Sequence, residues 1–194
     1  MQHWRSYLLG RLLELFGRRK GALAAYRAAL QAKPDFLRCA NRLAYVLGLL
    51  ERYAEAESYF QAVLRSEPRN AAAHFNLGFT QDKRGQYAQA AASFREATQL
   101  NPKLDRAWYG LGLAHAQLGQ HQEAAQALEQ AATLQPMNPH AWYALGMAHH
   151  VLGDRAKLKS VALHLVRFDP RMTRRLIQDS AASDLAYLVR DLVV

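Results

Sequence analysis

The sequence predicts an all-α protein, a solenoid of stacked helical hairpins, and three observations carry that reading. Pro34, Pro68, Pro102, Pro136 and Pro170 are five of the six prolines, and each lies 34 residues beyond the one before. Between Leu104 and Pro136, a pattern of Trp108, Leu111, Gly112, Ala124 and Ala131 sets offsets that recur elsewhere in the chain. Leucine and alanine dominate while β-branched runs are few, a composition that favours helix throughout. A fixed period of this size means copies of one supersecondary unit, none of which buries its apolar face alone.

Each unit is expected to be two antiparallel helices. Small residues at Gly112 and Ala124 let the helices approach, and Leu111 and Leu128 fill the space between them. Gly119 interrupts the helical pattern at the hairpin turn. The terminal proline stops the second helix, because the residue before a proline is pushed out of the helical region. The first unit repeats the scheme with Leu9, Gly10, Leu13, Ala22, Tyr26 and Ala29, and the third with Leu77, Gly78, Ala90, Phe94 and Ala97. The second, with Leu43, Ala44, Leu47, Ala56 and Phe60, puts alanine where the others have the packing glycine. The fifth keeps Trp142, Leu145 and Gly146 but carries Leu158 and Ala162 where a small and then an aromatic residue are usual.

Trp108-x2-Leu111-Gly112-x2-His115, Ala124-x3-Leu128, Ala131 and Pro136 resemble the tetratricopeptide repeat almost position for position. The resemblance implies a right-handed superhelical solenoid of five helix-turn-helix repeats over residues 1–170, in units of approximately 3–36, 37–70, 71–104, 105–138 and 139–172. A C-terminal capping helical segment over 171–194 follows. There, Met172 to Asp179 reads as a short basic amphipathic segment. Ser183 and Asp184 are expected to cap a last helix containing Leu185, Leu188, Val189 and Leu192, with Val193 and Val194 extending its apolar end. Met1 and the capping segment favour a complete chain.

Along the units, Trp4, Tyr7, Leu8 and Leu12 make the opening helix apolar on a side with no preceding unit, which suits a dimer contact or a membrane interface. The second helices carry Glu55, Glu57, Glu96, Glu123 and Glu129, read here as the solvated convex side. Cys39 aligns with Ala73, Ala107 and Ala141, so it is expected to be a small packed residue.

The formal charge of +9 is uneven. Residues 1–42 hold nine Lys or Arg against Glu14 and Asp35, and a second basic block runs from Arg155 to Arg175. Such ends attract acidic proteins, anionic membranes or nucleic acid alike. No apolar run approaches the roughly 20 residues that cross a bilayer, and no signal-peptide pattern opens the chain, which points to a cytoplasmic protein. No phosphate-cradling loop, nucleophile elbow or metal motif is present, so no enzyme activity, cofactor or metal is expected. His115 and His149 share one place in the repeat that usually holds an inward aromatic, which accounts for them without a metal.

In the tetratricopeptide family the first helix of each unit lines a concave groove. The resemblance places there Arg11, then Arg38, Asn41, Arg42 and Tyr45, then Phe75, Asn76 and Phe79, then Arg106 and Tyr109, and Tyr143. Rings supply rigid apolar area while arginine and asparagine bond carboxylates or main-chain groups. Arg38 and Arg42, one turn apart, repel unless an acid lies between them. The carboxylate clamp by which some co-chaperones of the family hold a heat-shock tail is matched only at Asn76 and Arg106. The expected function is therefore a non-enzymatic scaffold that binds a peptide segment of a partner, of acidic character, in its groove. The alternatives are a self-assembling homo-oligomer and, third, a nucleic-acid adaptor. The latter is disfavoured because the groove residues do not repeat as a base-reading code would.

Overall fold

The computed structural model describes residues 1–190; the expected helix end at Leu192, Val193 and Val194 lies outside them. Among the described residues there are eleven α-helices, one 3-10 helix and no strand. They form two compact units, residues 1–101 and the part from Pro102 onward.

The first unit holds three hairpins: α1 (Gln2–Leu15) with α2 (Arg19–Ala32), α3 (Leu37–Leu49) with α4 (Tyr53–Ser66), and α5 (Ala71–Lys83) with α6 (Tyr87–Leu100). The second holds α7 (Asp105–Gln117) with α8 (His121–Leu134) and α9 (Pro139–Val151) with α10 (Arg155–Leu165). It continues into α11 (Pro170–Asp179) and the 3-10 helix Ser183–Val189, both of which pack against α10.

Every hairpin turn has the same hydrogen bonding. In the first, the Gly17 N–H donates to the Glu14 carbonyl (3.0 Å) and the Arg18 N–H to that of Leu13 (2.8 Å), the paired bonds that finish a helix through one left-handed residue. Gly17, Gly85, Gly119 and Gly153 take that residue's place with φ between 68° and 73°. In the second hairpin the place falls to Glu51, held at φ 60° despite its Cβ.

Close approach of the helices explains the other glycines. A Cβ on Gly10 would lie 2.5 Å from the Tyr26 ring, on Gly78 2.8 Å from Phe94, and on Gly112 2.5 Å from Leu128 and 3.2 Å from the Ala124 carbonyl. Tyr26, Phe60, Phe94 and Leu128 are all buried. The fifth hairpin solves its mismatch differently. Ala162 is too small to fill the space over Gly146, and Leu176 of α11 occupies it instead, 2.7 Å from where a Cβ would stand. Segment α11 is thus built into the core of the fifth repeat.

The second helices α2, α4, α6 and α8 each end just before their proline. The exposed turn carbonyl is then bonded from the next helix: Trp108 Nε1 donates to Pro102 (2.9 Å) and Trp142 Nε1 to Pro136 (2.8 Å), while His74 Nε2 lies 2.9 Å from the Pro68 oxygen. Cys39, Ala73, Ala107 and Ala141 are fully buried, as their shared place in the repeat implies. Burial pushes the Cys39 thiol up to about 12.

Three expectations are corrected. Pro170 does not terminate a second helix, since α10 stops at Leu165 and Pro170 opens α11 behind an Asp169 cap that accepts from the Met172 N–H (2.8 Å). Ser183 and Asp184 do not cap the last helix, which is 3-10 and has no side-chain cap; Asp184 instead ion-pairs with Arg155. Glu57 does not face solvent. It is buried, paired with Arg84, and accepts from Gln61 Nε2 at 3.2 Å and Gln81 Nε2 at 3.5 Å, because the end of α5 closes over that turn of α4.

Gly112→Ala is expected to destabilise the chain by about 1–3 kcal/mol, since the new methyl meets a backbone carbonyl as well as Leu128. Glu51→Gly is expected to do the reverse, by about 1 kcal/mol, by removing the left-handed penalty. Urea denaturation followed by circular dichroism reads both.

Candidate functional site

The first helices of the hairpins carry the residues named as groove candidates, and none of these is fully buried. In the first unit, α3 sets Arg38, Asn41, Arg42 and Tyr45 on one face, because three- and four-residue steps return to the same side of a helix. Neighbouring α5 contacts α3 and presents Phe75, Asn76 and Phe79.

Arg42 is the best-connected of these. Its guanidinium pairs with the Glu14 carboxylate, which also accepts the Tyr26 hydroxyl at 2.7 Å. Burial works against the arginine's charge, but Glu14 outweighs it and raises the guanidinium above its ordinary value. Burial, with the bond to Glu14, raises the Tyr26 phenol as well. The acid that relieves the repulsion between Arg38 and Arg42 is therefore internal. Arg42 also lies 5.2 Å from the centre of the Tyr45 ring, holding that exposed ring from behind.

The remaining first-unit residues point outward to differing degrees. Arg38 is exposed and, among the described residues, makes no ion pair. Asn41 is half-buried, with its Oδ1 shielded from water and without a hydrogen-bond donor. Phe75 packs its ring 5.9 Å from that of Phe94, whereas Phe79 is exposed with the Lys83 ammonium 5.4 Å above it. Asp82, on the same helix, is raised by burial, an effect that Lys83 opposes. Arg11 donates to the Tyr7 hydroxyl at 3.5 Å.

In the second unit Arg106 is exposed on the first turn of α7, and Tyr109 is half-buried, its phenol raised by burial. Tyr143 serves a different purpose. Its hydroxyl donates to Asp179 at 2.6 Å, and Arg175 both bonds that carboxylate at 3.3 Å and stacks 5.1 Å over the ring. Tyr143 is thereby tied to α11.

Sequence reasoning did not single out Glu14 and Asp179, the acids that engage two of the candidates. The signals were faint: Glu14 is the sole acid among residues 1–34, and Asp179 follows Arg175 by one helical turn. Among the described residues, no three His, Cys, Asp or Glu side chains gather to hold a metal ion, and no helix is long and apolar enough to cross a membrane. His115 and His149 are buried, and burial, reinforced by Lys157, lowers the His149 imidazole.

Tetratricopeptide repeat family models match residues 6–36, 36–66, 59–92, 80–136 and 119–157. No curated protein sequence matches the chain. Among solved structures, MamA from Desulfovibrio magneticus RS-1, residue 41 to its end, is similar with a TM-score of 0.78 and 21% identity, over 92% of this chain and 96% of that one. YrrB, described as a tetratricopeptide protein with an unusual peptide-binding site, gives 0.78 and 22% over 89% and 90%. PilF of Pseudomonas aeruginosa gives 0.74 and 21% over 98% and 93%. At these identities the likeness is one of fold, an all-α solenoid of helical hairpins. With repeat models matching without a gap from residue 6 to 157, well over half of the chain, and hairpins closed by one small-to-large contact and one turn, the chain belongs to the tetratricopeptide repeat family.

Proposed function

We propose that the chain is a non-enzymatic cytoplasmic scaffold that holds a peptide segment of a partner, rich in acidic residues, against the first helices of its repeats. One observation carries the reading: the exposed rings of Tyr45 and Phe79, the exposed Arg38 and the half-buried Asn41 amide share the neighbouring helices α3 and α5. Asn41 is half-buried on the same face, and its side-chain amide is of the type that bonds a peptide main chain. Exposed rings supply contact area at low ordering cost, and Arg38 supplies a charge-assisted bond for a carboxylate. The peptide-binding site reported for YrrB supports the same use of the fold.

Within this proposal the residues divide by task. Arg38, Asn41, Tyr45, Asn76 and Phe79 meet the peptide, while Arg42 fixes Tyr45 through its pairing with Glu14. In the second unit Arg106 and Tyr109 lie on α7, and Tyr143 secures α11.

A displayed library of random peptides, panned against the full chain, is expected to enrich acidic sequences. Their affinities, read by fluorescence anisotropy, should fall roughly thirtyfold for Phe79→Ala if the ring anchors the peptide. Asn41→Leu should weaken binding while the melting temperature stays level or rises, since an unpaired buried acceptor is removed. Enrichment of peptides without acidic residues, or equal affinity for the variants, would sink the reading.

A further inference from the structure

The opening helix carries a second surface that the peptide face does not use. On α1, Trp4, Leu8, Leu12 and Leu15 recur at three- and four-residue steps and so form one stripe along the helix, with Leu9 and Phe16 beside it. All six are exposed: Leu8 by 60%, Leu15 by 80% and Phe16 by 70%. The opposite side of the same helix, with Tyr7 and Gly10, is buried against α2. Such a helix is apolar on both faces, one more than folding requires.

The charges around the stripe indicate what covers it. Arg5 lies on α1, and Arg18 and Lys20 follow in the turn and at the start of α2, all exposed, while Arg19 reaches to the Leu49 carbonyl of the next hairpin. Glu14 is the only acid among the first 34 residues, and its carboxylate is turned inward to Arg42 and Tyr26. Asp35 lies close enough to act on His3 at the start of the helix, and the exposed charges along the rest of the rim are cationic. A second copy would bring an identical cationic rim against the first, which like-charge repulsion opposes. An acidic protein would satisfy the rim but would also need a shaped apolar complement, and the stripe runs along a single helix.

We propose that α1 is a peripheral membrane anchor that lies in the interface of an anionic bilayer, its leucines among the acyl chains and its arginines at the headgroup phosphates. At about 1.5 Å per residue the helix spans only about 21 Å, too short to cross a hydrocarbon layer of about 30 Å, so it lies in the plane of the surface. Trp4 and Phe16, at the two ends of the stripe, are ring types suited to the boundary between headgroup and acyl region. The anchor is independent of the peptide face.

The test is co-sedimentation of the full chain with vesicles of phosphatidylcholine alone and of phosphatidylcholine mixed with phosphatidylserine. Binding is expected to the mixed vesicles and to be lost for Leu8→Glu/Leu12→Glu, whose sites are exposed and whose fold is checked by circular dichroism. Arg18→Ala and Lys20→Ala should each weaken partitioning about fivefold, the effect of one cation at an anionic surface. Phe79→Ala should bind vesicles as the natural chain does, which separates this proposal from the peptide reading. The idea is overturned if the chain stays in the supernatant, if neutral vesicles bind it equally, or if the leucine variant binds unchanged. It is overturned in favour of self-association if sedimentation velocity shows a dimer that the leucine variant abolishes while vesicles go unbound. Binding to soluble polyglutamate that depends on the same leucines would overturn it in favour of an acidic protein.

Discussion

Each hairpin depends on the fit of a large side chain on its second helix into the space left by a small residue on its first. Tyr26 sits over Gly10, Phe94 over Gly78 and Leu128 over Gly112, with Phe60 in the same cluster as Ala44. Everything else in a unit follows from that contact. It sets how closely the helices approach, which faces remain to be covered by neighbours, and where the turn must reverse the chain. The fifth hairpin shows that the contact is required even when its own sequence cannot supply it. With Ala162 too small, Leu176 comes from α11, and the segment after Pro170 becomes part of the core.

Polar residues close to this framework are largely used by it. Glu57, Gln81 and Ser93 form a buried network that the exposed Arg84 closes by pairing with Glu57, with Ser93 donating to Gln81 at 2.7 Å. Breaking one member would leave its partners unpaired, so such networks specify a single packing more than they add stability. The same economy governs two groove candidates. Arg42 neutralises Glu14 beneath Tyr26, and Tyr143 fastens α11 through Asp179. What stays available on α3 and α5 is a shorter set, centred on Arg38, Asn41, Tyr45 and Phe79. That set combines rings, a cation and an amide, the chemistry on which the peptide proposal rests.

The outer face of α1 differs in kind. Its leucines lie on the side of the helix away from α2, where no side chain of the unit buries them. The peptide face offers rings and hydrogen-bonding groups on two neighbouring helices, whereas the α1 stripe offers aliphatic area with a cationic rim. Surfaces so different in chemistry are suited to different partners, an acidic peptide for one and an anionic bilayer for the other in the two proposals above.

How much was legible in the sequence follows from how local each cause is. The 34-residue period, the helix pairs, the packing glycines and the buried Cys39 were readable because they rest on residue size and helical spacing within one repeat. The left-handed turn at Glu51 was hidden, since four glycines announce the place and a glutamate does not. The burial of Glu57, the capture of Arg42 by Glu14 and the filling of Gly146 by Leu176 join residues some 24 to 30 positions apart. By itself the sequence determined the repeated hairpin, because the first four copies state the same small-to-large pairing and the fifth keeps the period. Only the tertiary structure decided which charges and rings remain outside, because that depends on which neighbours the stacked helices bring against them.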